Sequence, residues 1–187
     1  PFVLALQPFG RAELAGPLAS AVMAALTLPV LAAIGRTLQL STPLIATIVG
    51  LFAASPLTVF MGANGMSETC AGFFSAVALL GFLRWRHDGR LASLVLTGIG
   101  LAGSAMRRYE TVVLLPVVAA AVAVCVETGR RRDAVVVAVL PAAFVYAWWM
   151  LASRLITGEW LYFYNVARTV TARPDDPDAR WRVTVTL

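Results

Sequence analysis

The chain has 187 residues, of which 59% are hydrophobic and only 13% charged, and its mean hydropathy is +0.79. Soluble domains carry roughly a quarter charged residues, so a soluble fold is excluded: most of the apolar surface must face lipid. The net charge is +5, and all 15 basic residues are arginine. They stand in short clusters between apolar runs, the pattern of loop charges in a membrane protein rather than of a nucleic-acid-binding face.

The expected architecture is all-α, a multi-pass transmembrane helical bundle of about six helices. The apolar runs extend over about Leu14 to Ile34, Pro43 to Met61, Met66 to Leu83, Leu91 to Met106, Thr111 to Val126 and Ala134 to Leu155. About twenty apolar residues cross a bilayer as a helix. The connectors Gly35 to Thr42, Gly62 to Gly65, Arg84 to Arg90, Arg107 to Glu110 and Glu127 to Asp133 are too short to be domains. Two regions follow: residues 1–165 as the membrane part, and 166–187 as a polar exterior loop or the start of a further segment, marked by Pro174-Asp175-Asp176-Pro177-Asp178. The start at Pro1, without a signal-peptide pattern, and the end at Leu187 read as those of a fragment.

Orientation follows from the arginines. Arg36, then Arg84, Arg86 and Arg90, then Arg130, Arg131 and Arg132 share one side, against Arg11, Arg107, Arg108 and Arg154 on the other. The richer side is expected to be cytoplasmic. Asn64 to Glu68, Arg107 to Glu110 and Gly158 to Trp160 then meet at the exterior face.

Gly98-Ile99-Gly100-Leu101-Ala102-Gly103 matches the dinucleotide fingerprint, but it lies inside an apolar helix with no preceding strand. Small residues that let helices approach closely are the better account. Cys70 and Cys125 lie in apolar runs and read as small hydrophobes. His87, the one histidine, excludes histidine metal sites and histidine-based triads.

Glu68 stands just inside the third run, where the helix dipole stabilises a carboxylate and where an ionisable group marks a site hypothesis. The run Leu91 to Met106 reaches only about 24 Å at 1.5 Å per residue, against a hydrocarbon layer of about 30 Å. Arg107 and Arg108 are therefore expected at or just below the exterior boundary. They are suited either to pairing with Glu110 or to an anionic group such as a lipid phosphate. Trp148, Trp149, Trp160, Tyr162, Phe163 and Tyr164 read as an interfacial aromatic belt, and Trp160 and Tyr162 also offer stacking faces for a sugar.

The order of these features resembles the membrane-embedded glycosyltransferases of the GT-C superfamily, nearest the branch of protein O-mannosyltransferases and lipid A aminoarabinose transferases. The likeness runs from Ala32-Ala33-Ile34-Gly35-Arg36-Thr37-Leu38 through Ala54-Ser55-Pro56-Leu57 to Asn64-Gly65-Met66-Ser67-Glu68 with Phe73-Phe74. It continues with Arg84-Trp85-Arg86, Arg107-Arg108-Tyr109-Glu110 and Thr157-Gly158-Glu159-Trp160, and covers about Gly10 to Asn165.

The resemblance implies a multi-pass enzyme of the plasma (inner) membrane. It would transfer a sugar from a polyprenyl-phosphate donor to a glycan, lipid or protein acceptor at the exterior face, with no nucleic-acid partner. It also implies a catalytic acidic residue in a first exterior loop, which would precede Pro1, so that this fragment alone is expected to be inactive. Arg107 or Arg108 would hold the donor phosphate; Glu68, Glu110 and Asn64 would support or position; a divalent metal serves some members and not others. The rival expectation is a transporter or flippase of a lipid-linked or amphipathic solute, for which Pro116 and Pro141 would break helices. A third is a non-catalytic membrane subunit or scaffold.

Overall fold

A computed structural model describes residues 14–126 and 128–162; the exterior-loop expectation for 166–187, and Arg11, Phe163 and Tyr164, lie outside the described residues. Everything described is helix or turn, with no strand among the described residues. The helices are α1 (Ala15–Thr37), α2 (Thr42–Ala54), α3 (Pro56–Ala63), α4 (Ser67–Asp88), α5 (Leu91–Ala105), α6 (Leu114–Cys125) and α7 (Arg131–Thr157). Short 3-10 turns at Tyr109–Val113 and Thr128–Arg130 precede α6 and α7. The chain divides into two compact units, one through Tyr146 and one from Ala147.

In the first unit, α1 and α4 run in the same direction. The Ser20 hydroxyl donates to the Met66 carbonyl at 3.1 Å near their starts, and Arg36 and Thr37 share a cavity with Arg84 and His87 near their ends. The return is made by α2 and α3. At the turn into α4, Gly65 has φ +70, and a Cβ there would stand 2.9 Å from the Gly16 carbonyl carbon and from the Pro17 nitrogen, so only glycine fits both the dihedral and the space.

α5 lies antiparallel against α4. A Cβ on Gly100 would fall 2.7 Å from both Ala78 Cα and the Phe74 carbonyl oxygen, and one on Gly81 2.6 Å from the Thr97 nitrogen. The backbones touch, as small residues permit in membrane helices, which is the role the sequence assigns to the glycine-rich run. Inside this seam the Ser75 and Ser104 hydroxyls pair at 3.0 Å. Ala78, Leu101 and Ala142 form one buried cluster, and Leu94, Val122 and Ala138 another. Cys70 is buried and Cys125 is exposed, and both are free thiols.

Two helices, α1 and α7, are long and apolar enough to cross a membrane, and α2 with α3 makes a third if the bent pair counts as one span. Among the described residues, thirty exposed large hydrophobic side chains accompany them. This is the surface of a membrane protein. α5 and α6, with fifteen and twelve residues, reach only about 22 and 18 Å, and α4 carries Glu68 and two arginines. The third, fourth and fifth runs of the six-helix expectation, Met66 to Leu83, Leu91 to Met106 and Thr111 to Val126, therefore go beyond what length and composition give here.

Three boundaries depart from the expectation. The run Pro43 to Met61 is not one helix: it bends by 53° between α2 and α3. Pro56 has no N–H to continue the ladder and forces Ser55 into extended geometry, observed at φ −61, ψ 122. α4 does not stop at Leu83 but runs through Arg84, Trp85 and Arg86 until Gly89, at φ 64, takes the left-handed C-terminal position. Likewise α7 absorbs Arg131, Arg132 and Asp133. Pro141 lies inside α7 without ending it, and Pro116 sits in the first turn of α6, where its missing N–H costs little.

Candidate functional site: an arginine held between two carboxylates

The chain leaves α5 at Met106, turns through Arg107 and Arg108, and enters the 3-10 turn at Tyr109. This places Arg108 beside the first turn of α4. Its guanidinium bonds two carboxylates: Nη1 donates to Glu68 Oε1, and Nε donates to Glu110 Oε2 at 2.6 Å. The Glu68 carboxylate also accepts from the Ser67 hydroxyl at 3.4 Å. The hydrogen bond that Arg108 donates to Glu110, then the charges of both carboxylates, push the Arg108 pKa above its ordinary value, so this cation persists at every physiological pH.

The cluster is half-open. Side-chain exposure is 33% for Arg108, 39% for Glu68 and 52% for Glu110. Water therefore screens the pairs, and each is worth no more than about 1 kcal/mol. What the pairing supplies is direction: two of the guanidinium nitrogens are fixed. Arg107 is exposed and has no carboxylate partner among the described residues. Of the two arginines it is the one free to take an external anion.

Two residues that the sequence reading passed over complete the site. The Thr111 hydroxyl lies 2.6 Å from the Arg108 carbonyl oxygen and 2.8 Å from Tyr146 Oη. It thereby pins the turn that carries both arginines to α7. The signal available for Tyr146 was its phenol inside an apolar helix, where a hydroxyl needs a partner. Next to Glu68, the Thr69 hydroxyl is buried with no hydrogen-bond partner among the described residues.

Asn64 does not join the cluster. Its side-chain nitrogen donates to the Phe60 carbonyl at 2.7 Å, which closes the end of α3. Trp160 and Tyr162 belong to the second unit, where Trp160 is half-exposed. In the same unit the Arg154 guanidinium bonds the Gly158 carbonyl and caps α7.

As a metal centre the donor set is poor. Glu68 and Glu110 each give an oxygen to Arg108, and no group of three or more His, Cys, Asp or Glu side chains comes together among the described residues. A divalent cation such as Mg²⁺ or Ca²⁺ asks for six or more oxygens around it, and a guanidinium stands between the two available carboxylates.

The opposite end of the first unit is basic. Arg36 and Arg84 share one cavity, and Arg86 and Arg130 another, so the three arginine-rich connectors gather at one end, as the charge count requires. There Asp88 accepts from the Arg90 N–H at 2.9 Å and from the Ser93 hydroxyl at 3.0 Å. The Arg90 amide, followed by that hydroxyl, holds the Asp88 carboxyl below its ordinary value.

No family model, no curated protein and no solved structure matches this chain.

Proposed function

We propose that the chain is the membrane-embedded part of a glycosyltransferase of the GT-C kind. It would take a sugar from a polyprenyl-phosphate carrier at the exterior face of the plasma (inner) membrane and pass it to a glycan, lipid or protein acceptor. All six apolar runs cross or enter the bilayer in this reading, α2 and α3 as one bent span. The observation that carries it is the Arg107-Arg108 pair, at the end of the unit away from the arginine-rich connectors, with Arg108 oriented by Glu68 and Glu110.

The division of labour follows from the pairing. Arg107, exposed and without a carboxylate partner among the described residues, takes the carrier phosphate. Arg108, fixed by two carboxylates and by Thr111 beneath it, sets the position of the turn. During transfer the acceptor oxygen bonds to the anomeric carbon as the bond from that carbon to the phosphate oxygen breaks. The acceptor proton goes to a carboxylate general base. Negative charge grows on the departing phosphate, where a preorganised cation lowers the barrier most.

The test is thermal stability of the purified full-length protein in detergent with added polyprenyl phosphate. Stabilisation of wild type, weakened in Arg108→Ala and lost in Arg107→Ala, supports the reading. Equal stabilisation of wild type and the double alanine variant removes the pair from the donor site.

One observation favours a transporter instead: the 53° break between α2 and α3, since discontinuous helices line transport sites. Movement of a lipid-linked sugar across proteoliposomes without hydrolysis or transfer would establish that alternative.

A further inference from the structure

The basic end of the first unit holds a cavity of about 940 Å³ framed by α4, α5, α6 and the start of α7. Its rim carries Arg86 and Arg130, both exposed and neither with a carboxylate partner among the described residues. Part of its wall is apolar, with Leu94 buried and Leu91 and Val124 exposed. Trp85 belongs to the lining too, its ring 5.9 Å from that of Phe82. Among the described residues Asp133 is the one carboxylate in the lining, set against two arginines.

The lining thus offers three kinds of surface: charge, an indole and hydrocarbon. A free phosphate or nucleotide would use the rim and leave the apolar wall unoccupied. A diacyl phospholipid with an anionic headgroup uses all three zones. The headgroup phosphate meets the guanidiniums, which grip phosphate well; the glycerol region lies at the indole, where interfacial tryptophans reside; an acyl chain covers Leu94 and Val124.

We infer that this cavity is a binding site for an anionic phospholipid, held by Arg86 and Arg130 and seated along the wall between α5 and α6. Basic pockets between membrane helices take lipid headgroups in this way. The site is distinct from the Arg107-Arg108 turn and does not depend on the transferase reading. Its occupant also fills space between α4–α5 and α6–α7 near the connector that joins α6 to α7, so the lipid acts as a structural wedge.

The experiment compares the purified full-length protein in neutral detergent with added phosphatidylglycerol, phosphatidylcholine or inorganic phosphate, reading bound lipid by native mass spectrometry and the thermal midpoint in parallel. Wild type is expected to retain phosphatidylglycerol in preference to phosphatidylcholine. Arg86→Gln/Arg130→Gln should lose roughly 30-fold in that affinity, about fivefold per arginine. Asp133→Asn, which removes the opposing carboxylate, should tighten it.

Val124→Trp narrows the cavity at an exposed position without touching charge, and should also reduce lipid retention. That variant decides the matter if the arginine variant does not fold. Equal retention of both lipids by wild type overturns the inference. So does an unchanged preference in Arg86→Gln/Arg130→Gln, or unchanged retention in Val124→Trp. Stabilisation by inorganic phosphate equal to that by phosphatidylglycerol would replace the lipid with a simple anion.

Discussion

Helix α5, which packs along α4, and the bent pair α2–α3 are built from similarly apolar sequence, yet they meet their surroundings in opposite ways. α5 buries eight of its fifteen residues, among them Ser93, Thr97, Gly98, Gly100 and Ser104. α2 buries none and α3 only Gly62. The difference is in grain rather than hydropathy. α5 presents glycine and serine at positions where a neighbouring backbone can come close, whereas α2 presents leucine and isoleucine outward. In lipid, apolarity places a helix in the membrane but gives it no reason to prefer a protein neighbour; small residues and internal hydrogen bonds do that.

The sharpest test of this contrast is a pair of glycines. Gly100→Ala puts a methyl into the backbone of Ala78 and Phe74, which cannot swing aside as a side chain can. A loss of about 3 kcal/mol is expected, read as the thermal midpoint in detergent. Gly50→Ala, in α2, meets nothing within 4 Å and should change stability by less than about 1 kcal/mol. Similar losses at both positions would end the distinction.

Next in size is the polar link within the seam. Ser104→Ala removes the bond to Ser75 at 3.0 Å and the longer one to the Ala71 carbonyl at 3.4 Å, and should cost about 1 kcal/mol. Thr47→Ala in α2 breaks only a bond to its own helix, Thr47 Oγ1 to the Pro43 carbonyl, and should be close to silent.

A smaller effect is expected where the seam is tied off at the Arg108 end. Glu68→Gln weakens an ion pair whose partners are each a third or more exposed, so the loss should stay below about 1 kcal/mol and shrink further in high salt. A loss that grows with salt would contradict the screened pair described here.

The smallest effect belongs to Asp88 at the other end, and it is visible through pH. Its folded pKa is lowered from an ordinary 3.8, so its contribution is present above that value and is lost as pH falls through the lowered one. Wild type and Asp88→Asn should differ in thermal midpoint near neutrality and converge in acid. A gap that ignores pH would detach the effect from the carboxylate.

Much of this was legible in the sequence. The extents of α1 and α5 follow from apolar run length, and the gathering of Arg36, Arg84, Arg86 and Arg130 at one end follows from alternating connectors. The role of Gly100 follows from the absence of a preceding strand. Pairing of the arginines with Glu110 was among the alternatives the sequence offered, but the bond from Arg108 to Glu68 was not legible, because it joins residues forty apart in the chain.

The break at Ser55-Pro56 carried a readable signal, a proline inside an apolar run, which the run length outweighed. The continuation of α4 through Arg84 to Asp88 was missed for a different reason. Arginines mark the edge of the hydrocarbon, not the end of hydrogen bonding, and Gly89 supplies the latter. Thr111 and Tyr146 could not be paired from sequence, because each looks like an isolated hydroxyl until α7 is laid beside the 3-10 turn.

The two thiols have a practical consequence. Cys70 is only 2% exposed and lies in α4, while Cys125 is open to its surroundings at the end of α6 and lines the arginine-rimmed cavity. A maleimide fluorophore should therefore attach at Cys125 and leave Cys70 unmodified without any engineering of this segment. Brominated acyl chains quench such a probe only at close range. Emission from that one position would count lipid arrivals and departures in real time, and its quenching profile would give the depth of this helix end in the bilayer.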